Sequence, residues 1–383
     1  MNSINFFNQT IDIFSTMGVF FFGAILINQT SQVFKATKLR VLRLYMWHSF
    51  FSLLYAYLSL TMPSDATVYY LSSLNNLPEF NLGTKAVVHL TAIFTDSLGL
   101  SYLGVFLVFN IFGTIGLLAV DASLRHATDN KSNFAKFLAL LVVLLPSMNF
   151  WTSALGKDSI AFMSVGLLLW ASIDFKRNIK LIIFALVAMI VVRPHIALIM
   201  IIAFVLSLLV NKTLSPSKRI FFIICSVIGI TAMMPMVLEY TGFREAFSIE
   251  SAQYFVDLRQ GYNIDGFGGG IDISSMPFIL KLFTYCFRPL PYEAHSLLSF
   301  LSSLDNMILI MLFTVSLFSA VTSKGKIFSL SDSKENRWLL LFFALGVLVI
   351  LSSTTSNLGI SMRQKWMFMP ILLYFIFLFI KVK

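Results

Sequence analysis

Polar positions in this 383-residue chain are confined to short intervals between long apolar runs. Runs of roughly 17 to 25 apolar residues suffice to cross a bilayer as helices. The pattern predicts about eleven spans, at 11–27, 44–60, 102–120, 137–150, 160–174, 181–192, 196–210, 220–238, 297–321, 339–354 and 366–380. Two shorter stretches, 86–94 and 276–287, predict interfacial or re-entrant helices. Hydrocarbon forces backbone hydrogen bonds to close within each segment, so the expected fold class is all-α and polytopic. The first run has no basic flank or small-residue cleavage site before it, which predicts a retained span rather than a cleaved leader. With no internal repeat, low-complexity tract or linker, residues 1–383 read as a single transmembrane domain.

The intervals alternate in charge. Lys35, Lys38, Arg40 and Arg43 fill the first, and Arg125, Lys131 and Lys136 the third. Further alternate intervals hold Lys176, Arg177 and Lys180, then Lys212, Lys218 and Arg219, then Lys324, Lys326, Lys334 and Arg337. The tail carries Lys381 and Lys383. Basic loops stay in the cytoplasm, so the expected N-terminus is outside and the C-terminus cytoplasmic. Two outward loops are long, approximately 61–101 and 240–296, and long loops usually carry function.

Composition sharpens the class. The chain is 57% hydrophobic and 12% charged, with 40 Phe, a balance suited to lipid contact and helix packing. Its net charge of +10 is spread over many loops, whereas a nucleic-acid footprint would be a dense basic stripe on a soluble domain. Cys225 and Cys286 lie in or near apolar segments and form neither a disulfide framework nor a metal-ligand spacing.

Against this alternation, several cations stand on the outward side: Lys157, Arg193, Arg288, Arg363 and Lys365. A converging basic site there suits an anionic ligand, most naturally the phosphate or diphosphate of a lipid-linked sugar. Arg193 interrupts near-continuous hydrophobicity, and burying an arginine in a span costs roughly 2.5–3.5 kcal/mol on insertion scales. The alternative is a plain outward hairpin at Arg193-Pro194-His195, with His195 either a general base or a residue without a role. Lys157 and Asp158 follow the flexible Gly156 and suit phosphate binding and acceptor orientation; the alternative is a snorkelling lysine beside a helix cap. Asp65 is a candidate base on a sugar hydroxyl, or a solvated helix cap together with Ser64.

In the large loop, Arg259 precedes a cluster of glycines whose amides can approach an anion closely, unless the stretch is only a flexible surface loop. Arg288 sits between apolar stretches beside two prolines, as a phosphate fork or as the ion-pair partner of Glu293. Arg363 and Lys365 precede the last span, as ligand-binding cations or as interfacial anchors with Trp366. Asp305, inside a predicted span, is a functional candidate by position. Walker, dinucleotide-binding, zinc-protease and nucleophile-elbow motifs are absent from the sequence.

The segments SDATVYY (64–70), PSMNFWTSALGKD (146–158), RPHIAL (193–198), FRPLPYEAHSLLSFLSSLDN (287–306) and SNLGISMRQKW (356–366) resemble bacterial glycan-assembly proteins. These are the Wzy-type repeat-unit polymerases and the GT-C glycosyltransferases. The resemblance covers about a quarter of the chain, in order from end to end. It implies an enzyme that polymerises undecaprenyl-diphosphate-linked repeat units of O-antigen or capsule at the outer face of the bacterial inner membrane. Its implied partners are the polyprenyl-diphosphate-linked glycan, membrane lipids and a chain-length regulator protein, with no nucleic acid. No cofactor or metal is implied for a polymerase; a divalent metal belongs to the GT-C alternative. In that alternative Asp65 matches the acidic residue of the first outward loop, although the usual acidic pair is reduced to one. Outward arginines handle the anionic donor and acceptor in the polymerases, and Arg193, Arg259, Arg288 and Arg363 match by placement. A transporter or flippase of lipid-linked glycan is the reading from another class. It is disfavoured because transporters tend to carry internal repeats and midplane charges.

Overall fold

The computed structural model describes residues 4–7, 9–75, 77–210, 215–241, 276–322, 334–355 and 357–380. Every regular element among them is helical. Among the described residues, six helices are long and apolar enough to cross a bilayer: Thr10–Gln29, Tyr102–Thr128, Asn133–Thr152, Pro216–Pro235, Leu297–Ser319 and Arg337–Thr354. A seventh candidate is the pair Leu358–Met367 and Met369–Phe379, bent by 61°. The described residues are therefore all-helical, with six or seven helices able to span a membrane by length and composition, which is consistent with a membrane protein. Apolar side chains exposed along its helices, such as Phe14, Phe21, Phe22 and Ile25, or Ile220, Phe221 and Ile224, fit contact with lipid.

Contacts divide the chain into two compact units. The first comprises Met1–Ala122, Met148–Trp170 and Leu181–Pro194. It contains α1 (Thr10–Gln29), α2 (Lys38–Thr61), α3 (Asp65–Leu74), α4 (Thr84–Ala92) and most of α5 (Tyr102–Thr128). It also holds most of α7 (Pro146–Thr152) and α8 (Lys157–Ile173), and α9 (Ile179–Val192) from Leu181 onward. Local chemistry sets the starts. Asp12 Oδ2 accepts from the Gln9 N–H at 3.0 Å before α1, Thr37 Oγ1 from Arg40 N–H at 3.2 Å, and Ser64 Oγ from Thr67 N–H at 3.3 Å. Helices α3 and α4 pack together, and α4 continues into one π turn, Ile93–Ser97. Helices α5 and α8 cross with their backbones touching, since a Cβ on Gly166 would lie 2.5 Å from the Gly116 carbonyl oxygen. Small residues permit such close approach between membrane helices. Arg40 grips the buried Asp121 through Nε and Nη2, at 3.0 and 2.6 Å.

The second unit comprises Ser123–Ser147, Ala171–Lys180 and His195–Lys383. Its helices are α6 (Asn133–Val143), α10 (Pro194–Val210), α11 (Pro216–Thr241), α12 (Phe278–Phe287), α13 (Leu297–Thr322), α14 (Arg337–Thr354), α15 (Leu358–Gln364) and α16 (Met369–Phe379). Helix α13 packs on α16, and α12 packs on both α13 and α14. The segment before α14 is tied down by Glu335 and Asn336. Glu335 accepts from His126 Nε2, Arg337 Nε and Tyr374 OH, at 3.2, 2.6 and 3.0 Å. Burial alone would raise the Glu335 pKa, but these hydrogen bonds outweigh it and hold the carboxyl at about 2. Asn336 Oδ1 caps α14 by accepting from Leu339 N–H at 3.2 Å.

All eleven predicted apolar runs fall on helices, with two internal breaks, but among the described residues only six or seven of the helices are long and apolar enough to be spans. The 137–150 run divides between α6 and α7, because Pro146 cannot continue the hydrogen-bond ladder. The last run begins earlier than its hydropathy suggests. Asn357 Oδ1 accepts from Gly359 N–H at 2.7 Å and starts α15, a short 3-10 turn follows at Lys365–Met367, and the chain then bends into α16.

Candidate functional site

In the first unit, three predicted site residues meet near the start of α8. The α7 helix ends at Thr152, and a turn leads to Gly156, whose φ is 152°. A Cβ at Gly156 would stand 3.2 Å from Tyr69 Cε2, so glycine suits both the backbone and the neighbour. Lys157 and Asp158 then open α8, where a carboxylate is favoured by the helix N-terminus.

Arg193 reaches the same place from the far end of α9. Its position before Pro194 disfavours helical continuation, and Pro194 is preorganised to begin α10. Arg193 Nη2 donates to Asp158 Oδ1 at 2.5 Å. The two side chains are only 7% and 11% exposed, so this is a buried ion pair. Arg193 Nε is buried without a hydrogen-bond partner among the described residues. Lys157 Nζ donates to Thr84 Oγ1 at 3.0 Å. The adjoining Gly83 N–H donates to the Val191 carbonyl at 2.8 Å, which pins the start of α4 to the last turn of α9. Asp65 lies exposed in the first turn of α3, one helical turn before the buried Tyr69 that covers Gly156.

The second unit holds the remaining described candidates. Arg288 donates through Nε to Glu293 Oε2 at 3.1 Å and through Nη2 to Oε1. Glu293 Oε2 also accepts from Leu290 N–H at 2.8 Å. The hydrogen bond from Arg288 holds the Glu293 carboxyl below its ordinary range, against the opposing effect of burial. The ion-pair alternative for Arg288 is thus the arrangement present. Lys365, expected at a membrane mouth, is fully buried and donates to Asn306 Oδ1. Asn306 Nδ2 in turn donates to the Pro289 carbonyl at 2.9 Å, linking Lys365 to the Arg288 loop. Asp305 accepts from the Ser147 N–H at 2.6 Å and so caps the start of α7. Arg363 is half-buried on α15, and His195 is half-buried at the second position of α10. Arg259 and the glycine cluster lie outside the described residues.

The polar centre that sequence reasoning missed is around His48. The imidazole is fully buried on α2 and touches Asn110, Thr114 and Thr152. A usable signal was present: His48 and Asn110 each interrupt a predicted span, where polar side chains are costly. Among the described residues, no three His, Cys, Asp or Glu side chains group to hold a metal ion.

Chemically, the α8 start offers a carboxylate, a guanidinium with donors to spare and an ammonium group, held by four helices. No family profile, curated protein or solved structure matches this chain.

Proposed function

We propose that the chain polymerises undecaprenyl-diphosphate-linked oligosaccharide repeat units, of O-antigen or capsular type, at the outer face of the bacterial inner membrane. In this reading it spans the membrane about eleven times, with the N-terminus outside and the C-terminus in the cytoplasm. The observation that carries the reading is the buried Arg193, which bonds one carboxylate through Nη2 and keeps Nε unbonded among the described residues. A buried guanidinium with donors in reserve is suited to a phosphate oxygen.

The reaction breaks the bond between the anomeric carbon and the lipid diphosphate and forms one to an acceptor hydroxyl. Charge develops on the departing diphosphate, and Arg193 and Lys157 supply the positive field that stabilises it. Asp158 takes the acceptor's proton as general base.

A second reading is a GT-C transferase that adds one sugar from a monophosphate carrier. The exposed Asp65, one turn from Tyr69 at Gly156, favours it. Deletion of the gene, with the surface glycan resolved by gel, separates the two. Collapse of the ladder to a single repeat unit, rescued by the wild-type gene but not by Arg193→Ala or Asp158→Asn, is expected for the polymerase. Loss of every band including the single unit points to the transferase. An unchanged ladder overturns both.

A further inference from the structure

We propose that His48 is a positioning residue for the Lys157–Asp158 turn, held as the neutral Nδ1–H tautomer and acting through Thr152. The inference rests on the reading of that turn as the functional site.

Hydrogen-bond bookkeeping fixes the ring. His48 Nδ1 lies 2.6 Å from Asn110 Oδ1. Asn110 donates its Nδ2 to Ser49 Oγ at 2.8 Å, so its amide turns the oxygen toward the imidazole. The Thr114 hydroxyl donates to the Asn110 carbonyl at 2.8 Å, leaving Thr114 Oγ1, 3.3 Å from Nδ1, as a second acceptor. Two acceptors facing Nδ1 require a hydrogen there.

The other nitrogen, Nε2, is 3.1 Å from Thr152 Oγ1. Thr152 has one hydroxyl hydrogen and two acceptors within reach, Nε2 and the Met148 carbonyl at 2.7 Å. A ring protonated at both nitrogens would return that hydrogen to Met148. It would also bury a positive charge, and among the described residues no charged side chain pairs with the ring. An isolated charge in an apolar interior is strongly disfavoured. The neutral ring therefore sets its Nε2 lone pair against the Thr152 hydroxyl, whose hydrogen is shared between Nε2 and the Met148 carbonyl.

Thr152 is the last residue of α7, and the turn to Lys157 starts there. One helical turn beyond His48, Ser52 Oγ donates to the Ser153 carbonyl at 3.1 Å. On α5, a Cβ at Gly113 would fall 2.1 Å from the Thr152 carbonyl oxygen and 2.6 Å from His48 Cε1. Helices α2 and α5 thus grip Thr152 and Ser153 by a side chain, a carbonyl and a close backbone contact. The start of α8, and with it Asp158, takes its register from that grip.

The test uses the full-length protein in detergent. Labelling with 15N-histidine, with the His48 resonance assigned by its loss in His48→Asn, should show a neutral Nδ1–H ring; an Nε2–H ring or an imidazolium at neutral pH overturns the proposal. Hydrogen–deuterium exchange then reads the positioning. His48→Phe should raise exchange at least about tenfold over residues 153–158, with the rest of the chain unchanged. His48→Gln, which retains a donor and an acceptor, should stay near wild type. If His48→Phe does not fold, Thr152→Val removes only the bridging hydroxyl and should give the same local rise. No rise, or a rise spread evenly over the chain, overturns the proposal. Ring state and exchange are read without any glycan, so they decide this inference even where the surface ladder overturns the polymerase reading.

Discussion

The Asp158–Arg193 pair supports the sharpest prediction, because a structural pair and a functional pair respond differently to the same three variants. The charges are 2.5 Å apart and nearly removed from solvent. At an effective dielectric of about 20, two unit charges so placed attract by roughly 6–7 kcal/mol, and desolvation of both takes most of that back. Removing one member is another matter, because it strands a buried charge. Asp158→Leu and Arg193→Met should each destabilise the protein by about 3–5 kcal/mol. The double variant removes both charges together and should recover to within about 1–2 kcal/mol of wild type, a strongly non-additive cycle.

Denaturant unfolding of the purified protein in detergent gives the stabilities, and the glycan ladder gives function in the same variants. A pair with only a structural role predicts that the double variant restores the ladder along with the fold. The proposed chemistry predicts a restored fold and a lost ladder. Single variants that each cost less than about 1 kcal/mol, or a double variant that costs their sum, would refute the buried-pair reasoning itself.

Three further outcomes follow from other contacts. Gly156→Ala forces a side chain into a φ of 152° and against Tyr69; a loss of about 1–3 kcal/mol in the same unfolding assay is expected. Gly166→Ala drives a methyl group onto the Gly116 carbonyl at the α5–α8 crossing and should cost about 1–3 kcal/mol; a neutral result would mean that the helices do not touch there. The Glu335 carboxyl lies at about 2 in the folded protein against 4.5 ordinarily, worth at most ~3 kcal/mol. Because the folded value is the lower one, that stability is full above about pH 4.5 and fades as pH falls toward about 2. Glu335→Gln should therefore separate from wild type at pH 7 and converge with it in acid, and a gap independent of pH would contradict the assignment.

Much of the helical layout was legible because the bilayer imposes a length and a polarity on every span, and both are written locally. The break at Pro146 inside the predicted 137–150 span has an equally local cause, because the missing N–H is a property of one residue. The bend after α15 was less legible. Arg363 and Lys365 were read as preceding the last span, yet Asn357 caps a further short helix whose end carries Lys365 into the interior. Nothing local to 356–366 reveals the Asn306 oxygen that receives it, since the partner lies 59 residues away. Arg193 and Asp158 were each visible as polar residues in apolar surroundings, but their pairing across 35 residues is a tertiary fact. Arg288 and Glu293, only five residues apart, are the counter-example, and there the pair was among the readings the local sequence offered.

These cases share one physical rule. A polar side chain inside an apolar helix is costly enough that it must find a partner, so its presence states that a partner exists without saying which. His48 shows how that rule can be used in reverse. The Asn110 amide oxygen and the Thr114 hydroxyl oxygen at Nδ1 favour a hydrogen there, and the neutral ring avoids a buried charge. The group that looked least like a site by composition, one imidazole in an apolar run, is thereby the one whose protonation is most tightly specified. It touches Thr152, where the turn that opens α8 with Lys157 and Asp158 starts, and the order of that turn is what its partners secure.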